Sequence, residues 1–280
     1  MQGSIARARL ARNVPVKYTQ RSSVIKVTFV HSENESLAVE CLSSVLKERG
    51  HTVELAYDHR YFERSGVSLP ALARIFDARD SIVRKVADGK PDLVCFSVHT
   101  SAFQWALDMS SRIKSQCDAP VLFGGVHPIS VPDVVIAEEA VDMICNGEGE
   151  EPLVELTEQM GDYPDVDVQG IWVKRGGEVI KSGPAPLVAD LDTVPFPDKQ
   201  LFYYQLPWLA QGYLIVTGRG CPYACTFCGN DILRRAYKGQ GRYVRKRSVD
   251  NVMEEMTRAN ALYHPRFFNI LDDCFNTDKA

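Results

Sequence analysis

Through the first 165 positions, short apolar runs alternate with longer stretches in which apolar residues recur every three to four positions. The runs are rich in β-branched residues and predict buried strands, and the stretches predict helices with one apolar face. Because strands that alternate with helices form a parallel sheet covered on both faces, the pattern predicts an α/β fold with a doubly wound sheet. The predicted strands span 24–30, 52–56, 92–98, 120–125 and 142–145.

The loops that follow four of these strands carry the candidate ligand-binding residues of this domain. In a doubly wound sheet, ligands bind beyond the carboxyl ends of the strands. Taken singly, each loop is explained as a tight turn, but together the loops predict a nucleotide-like ligand, although neither G-x-G-x-x-G nor a P-loop sequence is present. Glycines let a ligand approach the backbone closely, and hydroxyls bind polar groups. The candidates are Ser97, Thr100, Gly124, Gly125, Gly147, Glu148 and Gly149.

A change of pattern marks the end of the first domain. Residues 169–183 predict a hairpin around the turn RGG, and the segment 183–199 contains four prolines, which predict an extended connector. The first 22 residues carry five basic and no acidic side chains and predict a disordered tail. We therefore expect a tail (1–22), a doubly wound domain (23–165), a hairpin and linker (166–200) and a second unit (201–280).

Composition narrows the class of protein. Apolar residues make up 45% and charged residues 24% of the 280 positions, which is ordinary for a soluble globular protein. No apolar run is long enough to cross a membrane. Eight cysteines are too few for a disulfide scaffold, so a reducing, cytoplasmic location is expected.

One stretch of the second unit is strongly basic. Residues 232–248 hold seven basic side chains and no acidic one, a pattern that fits either an RNA contact or a solvated loop. The net charge of −4 and the lack of an evident aromatic stacking platform favour the loop. Nucleic acid is therefore not an expected partner.

Three cysteines stand close together in the second unit, directly after a predicted strand at 212–218. Cys221, Cys225 and Cys228 have the spacing C-x3-C-x2-C. Thiolates are the standard ligands of iron-sulfur clusters, and three of them leave one iron of a [4Fe-4S] cluster open to a small molecule.

Two other roles suit these cysteines less well. A zinc site needs a fourth ligand, and the downstream candidates His264 and Cys274 do not give a usual spacing. A redox C-x-x-C pair in CTFC leaves Cys221 unexplained. The spacing and the loop context favour the cluster.

The segment TGRGCPYACTFCGN (217–230) resembles the cluster loop of the radical S-adenosylmethionine (SAM) superfamily. Two upstream segments, VLFGGVHPISVPDVV (121–135) and VDMICNGEGEEPLVEL (141–156), are similar to loops of the branch that carries a cobalamin-binding domain. RSVDNVMEEM and FFNILDDCFNTD also look like segments that follow the cluster in that branch. The resemblance covers residues from about 24 to 280.

This resemblance implies a cobalamin-binding, Rossmann-like domain followed by the first strand-helix-strand part of a radical SAM partial TIM barrel. It implies a [4Fe-4S] cluster on Cys221, Cys225 and Cys228, with SAM and cobalamin as further cofactors. Phe227 matches the aromatic residue near the adenine of SAM, and Asp272 or Asp273 is expected to contact SAM.

The same resemblance implies an activity. Reductive cleavage of SAM yields a 5'-deoxyadenosyl radical that abstracts hydrogen from substrate, and methylcobalamin then supplies a methyl group. A small-molecule substrate and an electron donor such as flavodoxin or ferredoxin are the implied partners.

The sequence departs from the family pattern in two respects. No D-x-H-x-x-G motif occurs, so no histidine is marked as a cobalamin ligand. Residues 229–280 are too few for a full barrel, so we expect a C-terminally truncated radical SAM core, and the chain is either active as it stands or inactive until the barrel is completed. The alternatives are a radical SAM enzyme with a vestigial cobalamin domain and a non-catalytic iron-sulfur or cobalamin-binding fragment.

Overall fold

A computed structural model describes residues 23–275 except 33, 62, 65 and 66. The predicted basic tail at 1–22 lies outside these described residues. The elements of the first unit, in chain order, are β1 (Lys26–Ser32), α1 (Leu37–Glu48), β2 (Thr52–Asp58), β3 (Glu63–Arg64), β4 (Val67–Ser68), α2 (Pro70–Ile75), α3 (Arg79–Gly89), β5 (Leu93–Ser97), α4 (Phe103–Lys114), β6 (Val121–Gly124), α5 (Val126–Ser130), α6 (Pro132–Ala137), β7 (Met143–Cys145), α7 (Glu150–Gln159), β8 (Ile171–Arg175) and β9 (Glu178–Ile180).

Seven of these strands form one sheet in the order β2-β1-β5-β6-β7-β8-β9. The five strands from β2 to β7 run parallel, with Val27 opposite both Val53 and Leu93. Separate apolar cores cover the two faces, one packed around α1 and α7 and the other around α3 and α4. Burial on both faces explains why the strands are continuous apolar runs. The predicted doubly wound α/β fold is confirmed.

The structure differs from the predicted division of the chain at the hairpin. Strand β8 pairs antiparallel with β7, with Met143 opposite Val173, and β9 then pairs with β8. Trp172 is buried in one of the sheet cores, and its Nε1 donates a hydrogen bond to the Ser182 carbonyl at 2.8 Å. The hairpin therefore extends the first sheet, because the apolar side chains of β8 complete its core.

A second unit follows the connector. Its elements are α8 (Gln200–Tyr203), β10 (Gly212–Ile215), β11 (Gly218–Arg219), α9 (Gly229–Ala236), β12 (Arg245–Lys246), α10 (Val249–Tyr263) and β13 (Phe267–Ile270). The parallel pair β10 and β13, connected through α10, is the predicted strand-helix-strand part. Tyr213, Ile215 and Ala259 form its small buried core.

Strand β13 borders the second unit and keeps apolar side chains in solvent, among them Phe267, which is 58% exposed. Within the part of the chain that the structure describes, none of the helices has the length and apolar character required to cross a membrane.

Candidate cofactor-binding site

A cavity of about 370 Å³ lies at the carboxyl ends of the parallel strands, where the second unit meets the first. This is a usual size for a small-molecule pocket. Its walls come from the carboxyl end of β5, from the loops after β6 and β7, from connector residues 194–197, and from the segment 218–220 that immediately precedes Cys221. The cavity therefore joins the edge of the doubly wound sheet to the base of the cysteine loop.

Most of the predicted cofactor-binding residues line this cavity. The predicted residues that line it are Ser97, Gly124, Gly125, Gly147, Glu148, Gly149 and Asp273. Thr100 is not among them, and its Oγ1 lies 3.1 Å from Nδ1 of His127. Phe227 is 92% exposed on the cysteine loop, away from the cavity lining.

Gly125 allows the loop after β6 to lie in direct backbone contact with the loop after β5. Its φ of +96° lies in the left-handed region, and a Cβ there would come within 2.8 Å of both N and O of Val98. Val98 N donates a hydrogen bond to Gly124 O at 2.7 Å, and His127 N donates to Val98 O at 3.1 Å. The loop after β6 is thus held against the loop after β5 by backbone contacts that leave no space for a side chain.

Gly125→Ala is expected to destabilise the protein by roughly 2–4 kcal/mol, since left-handed strain and overpacking act together. Urea unfolding monitored by circular dichroism measures the change. Gly177→Ala is the matched control, because Gly177 has a φ of +86° but open space around its Cβ position. It is expected to cost only about 1 kcal/mol. Equal losses for the two variants would contradict the close approach to Val98.

Asp272 and Asp273, which the sequence did not separate, occupy different surroundings. Asp272 Oδ1 accepts hydrogen bonds from the backbone N of Thr217 and Gly218 at 2.6 and 3.3 Å. Its Oδ2 accepts from Thr217 Oγ1 at 2.5 Å and lies 3.2 Å from Lys246 Nζ. Asp272 therefore joins the end of β13 to the chain that enters the cysteine loop, whereas Asp273 lines the cavity.

The cysteine loop lies close to Tyr243 at both ends. At its start, Gly220 has a φ of +83° and its Cβ position lies 2.4 Å from Tyr243 O. Beyond its end, Asn230 Oδ1 accepts a hydrogen bond from the Tyr243 hydroxyl at 2.9 Å. Burial, with the negative charges of Asp273 and the nearby cysteines added, raises the pKa of Tyr243 to about 12. Tyr243 therefore stays a neutral hydrogen-bond donor.

The three thiols fit an iron-sulfur cluster by their chemistry. All eight cysteines are free, with Cys221 and Cys228 half-buried and Cys225 exposed. Among the described residues, no three cysteine, histidine or acidic side chains converge as they would on a single metal ion. A cluster places each thiolate on a separate iron, so its ligands need not converge on one point. Three thiols on one loop are the donor set that the predicted cluster requires.

Ion pairs that the sequence did not predict connect the two units beside the cavity. Glu148, in the loop after β7, contacts Arg245 at 2.6 Å and Arg219 at 3.2 Å, and Arg219 also contacts Glu150 at 2.5 Å. Burial raises the pKa of Glu148, but the hydrogen bonds from Arg245 and the charge of Arg219 outweigh it and hold that pKa below its usual value. The one sequence feature that pointed to these ion pairs was the basic run at 232–248, which contains no acidic residue.

That basic run is largely neutralised inside the molecule. Five of its seven basic side chains pair with acids: Arg234 and Arg235 with Asp231, Arg245 with Glu148, Lys246 with Asp272, and Arg247 with Glu255. The other two, Lys238 and Arg242, are exposed.

Comparisons with known proteins agree with this architecture. Residues 27–157 match the model of the B12 binding domain family. The chain is 28% identical over 195 residues to an uncharacterized methyltransferase of Pyrococcus horikoshii, covering 68% of this chain and 41% of that protein. It is 29% identical over 166 residues to the cobalamin-dependent radical SAM methyltransferase TokK of Streptomyces tokunonensis, covering 52% and 23%.

A solved structure extends the likeness to both units. The structure of the cobalamin-dependent SAM radical enzyme OxsB, with aqua-cobalamin and SAM bound, superposes with a TM-score of 0.68 at 21% identity, covering 90% of this chain and 34% of that chain. The chain thus spans less than half the length of these relatives. Residues 27–157 therefore match a B12 binding domain, and the chain as a whole is similar to cobalamin-dependent radical SAM proteins.

Proposed function

We propose that the chain takes part in cobalamin-dependent methyl transfer started by reductive cleavage of SAM. The observation that carries this proposal is the shared cavity, whose walls include both the glycine-rich edge of the B12-binding domain and the segment 218–220 that leads into Cys221. Two cofactors bound on these walls would face one space. The two relatives compared above are both named as methyltransferases, which supports the same reaction class.

The residues of the edge suit cobalamin bound without a protein histidine. None of the histidines that the structure describes lines the cavity. Gly124, Gly125, Gly147 and Gly149 leave the backbone open to close approach, and Ser97 offers a hydroxyl. When bound, cobalamin would supply the methyl group, and the protein would hold it in place and exclude water.

The cysteine loop would hold the cluster, with Cys221, Cys225 and Cys228 as ligands. When bound, the cluster would supply the electron that cleaves SAM and an open iron for its amino and carboxylate groups. We place SAM next to Asp273, which lines the cavity, with Phe227 on the loop beside the adenine. We further propose a small-molecule substrate, a flavodoxin- or ferredoxin-like electron donor and a cytoplasmic location.

Anaerobic reconstitution with iron, sulfide and hydroxocobalamin tests the proposal. We expect the purified chain to retain both cofactors, seen by visible absorbance and by iron and cobalt analysis. With SAM and a strong reductant, it should release 5'-deoxyadenosine.

The outcomes separate the alternatives. A fully loaded cluster that yields no 5'-deoxyadenosine would contradict SAM cleavage by this chain and favour the non-catalytic fragment. SAM cleavage by a chain that does not retain cobalamin would favour a vestigial cobalamin domain.

A further inference from the structure

We propose that Glu148 is a positioning residue that, through Arg219 and Arg245, fixes the cysteine loop against the glycine-rich edge of the first unit and so sets the separation of the two cofactors. This inference rests on the proposed function for its consequence, but its geometry is visible in the chain itself. We call Glu148, Glu150, Arg219 and Arg245 the charge clamp.

The carboxylate of Glu148 is engaged on both oxygens. Oε1 accepts a hydrogen bond from Arg245 Nη2 at 2.6 Å and lies 3.2 Å from Arg219 Nη1. Oε2 accepts from Arg245 Nη1 at 2.8 Å and from Val188 N at 3.0 Å. Arg245 Nη1 also donates to Val188 O at 2.7 Å. One carboxylate thus joins the loop after β7, the connector, and the strands on either side of the cysteine loop.

The clamp balances charges that would otherwise repel. Arg219 and Arg245 are directly opposite each other in the antiparallel pair of β11 and β12, and like charges so placed destabilise a sheet. Glu148 and Glu150 supply two negative charges to the two positive ones.

The clamp acts close to both proposed cofactors. Glu148 belongs to the loop whose glycines line the cavity, and Arg219 is separated from Cys221 by Gly220 alone. The side chain of Arg245 is 4% exposed. Its two Nη atoms contact both carboxylate oxygens of Glu148, and such a bidentate contact fixes the relative orientation of the two side chains as well as their distance. A shift of either loop would break these contacts, so the clamp restricts the relative motion of the two loops.

A separate apolar contact allows the clamp to be loosened without separating the units. Ile129 of the first unit packs with Leu187 of the connector and Tyr237, which follows α9. This patch contains none of the clamp residues. Glu148→Gln keeps the size of the side chain and removes its charge, so we expect a folded protein with a mobile cysteine loop.

Hydrogen exchange of the cofactor-free chain gives the first readout. We expect Glu148→Gln to speed amide exchange in segments 146–149 and 218–228 about tenfold, since hydrogen bonds between charged groups contribute this much or more to local stability. Asp133→Asn is the control, because it breaks the exposed pair with Lys181 elsewhere on the first unit. It should leave both segments unchanged. Unchanged exchange in Glu148→Gln would overturn the clamp.

Pulsed electron paramagnetic resonance on the loaded protein gives the second readout. The distance distribution between the reduced cluster and cob(II)alamin should be narrow in the unmodified chain and in Asp133→Asn, and broader in Glu148→Gln at equal iron and cobalt content. Arg219→Lys keeps the positive charge but loses the planar guanidinium group, so it should broaden the distance distribution less than Glu148→Gln does. It also serves as the test variant if Glu148→Gln does not fold.

The two readouts separate the clamp from the proposed function. Distributions that are equally narrow in all loaded variants would overturn the positioning role. If the unmodified chain holds neither cofactor, the proposed function fails, while the exchange experiment still decides whether the clamp exists.

Discussion

Cys221→Ala is expected to abolish the intact iron-sulfur cluster, and Cys225→Ala and Cys228→Ala are expected to do the same. Each cysteine would ligate its own iron, and the loop contains no fourth thiol that could replace a lost ligand. Iron and sulfide content per chain after anaerobic reconstitution, together with the visible absorbance of the cluster, measures the result. We expect near-complete loss in all three variants.

Three cysteines of the first unit, of which Cys95 and Cys145 are buried and Cys41 is half-buried, provide matched controls: Cys41→Ala, Cys95→Ala and Cys145→Ala should keep the iron. Burial raises the pKa of Cys41 and of Cys145 to about 12, and it raises the pKa of Cys95 as well. These side chains therefore remain neutral thiols, which are poor metal ligands. Loss of iron from any of them at unchanged folding would show that the ligands are assigned wrongly.

Lys199→Met is expected to lower the free energy of unfolding by about 3–5 kcal/mol, the range for breaking a buried ion pair from one side. Lys199 is fully buried, and its Nζ lies 2.7 Å from Glu35 Oε1 and 2.8 Å from Glu40 Oε2. The ammonium also lies 4.7 Å from the ring centroid of Tyr213 in β10. The variant would leave two buried acids without their cation. Urea unfolding at neutral pH measures the loss.

Lys47→Met is the control for this prediction. Lys47 pairs with Asp198, next to Lys199 in the connector, but its side chain is 42% exposed. Removing a partly exposed pair should cost no more than about 1 kcal/mol. Equal losses for Lys47→Met and Lys199→Met would show that burial of the Lys199 cluster does not matter for stability.

The Lys199 cluster also changes the interpretation of the connector. Its prolines predicted an extended spacer between two domains. In the structure, Asp198 accepts a hydrogen bond from Ser43 Oγ at 2.6 Å, and Lys199 reaches Glu40, so both residues bind α1 of the first unit. The connector is thus a docked segment, and it brings α8 and β10 against the first unit.

The sequence by itself determined the parallel sheet and the cysteine motif. Apolar runs between amphipathic stretches are local patterns, and burial on both faces of the sheet is what produces them. The spacing of Cys221, Cys225 and Cys228 is likewise local, since all three belong to one loop. The glycine-rich loops could be placed on one edge because the carboxyl ends of parallel strands must meet there.

Only the tertiary structure decided which charges meet. Glu148 pairs with Arg245, 97 residues away, and Lys199 pairs with Glu35, 164 residues away. Periodicity carries no information about such partners, because a charged side chain looks the same whether it faces solvent or a buried acid. The pairing of the hairpin with β7 was also not visible in the sequence, since it depends on an apolar core that forms only when the chain folds.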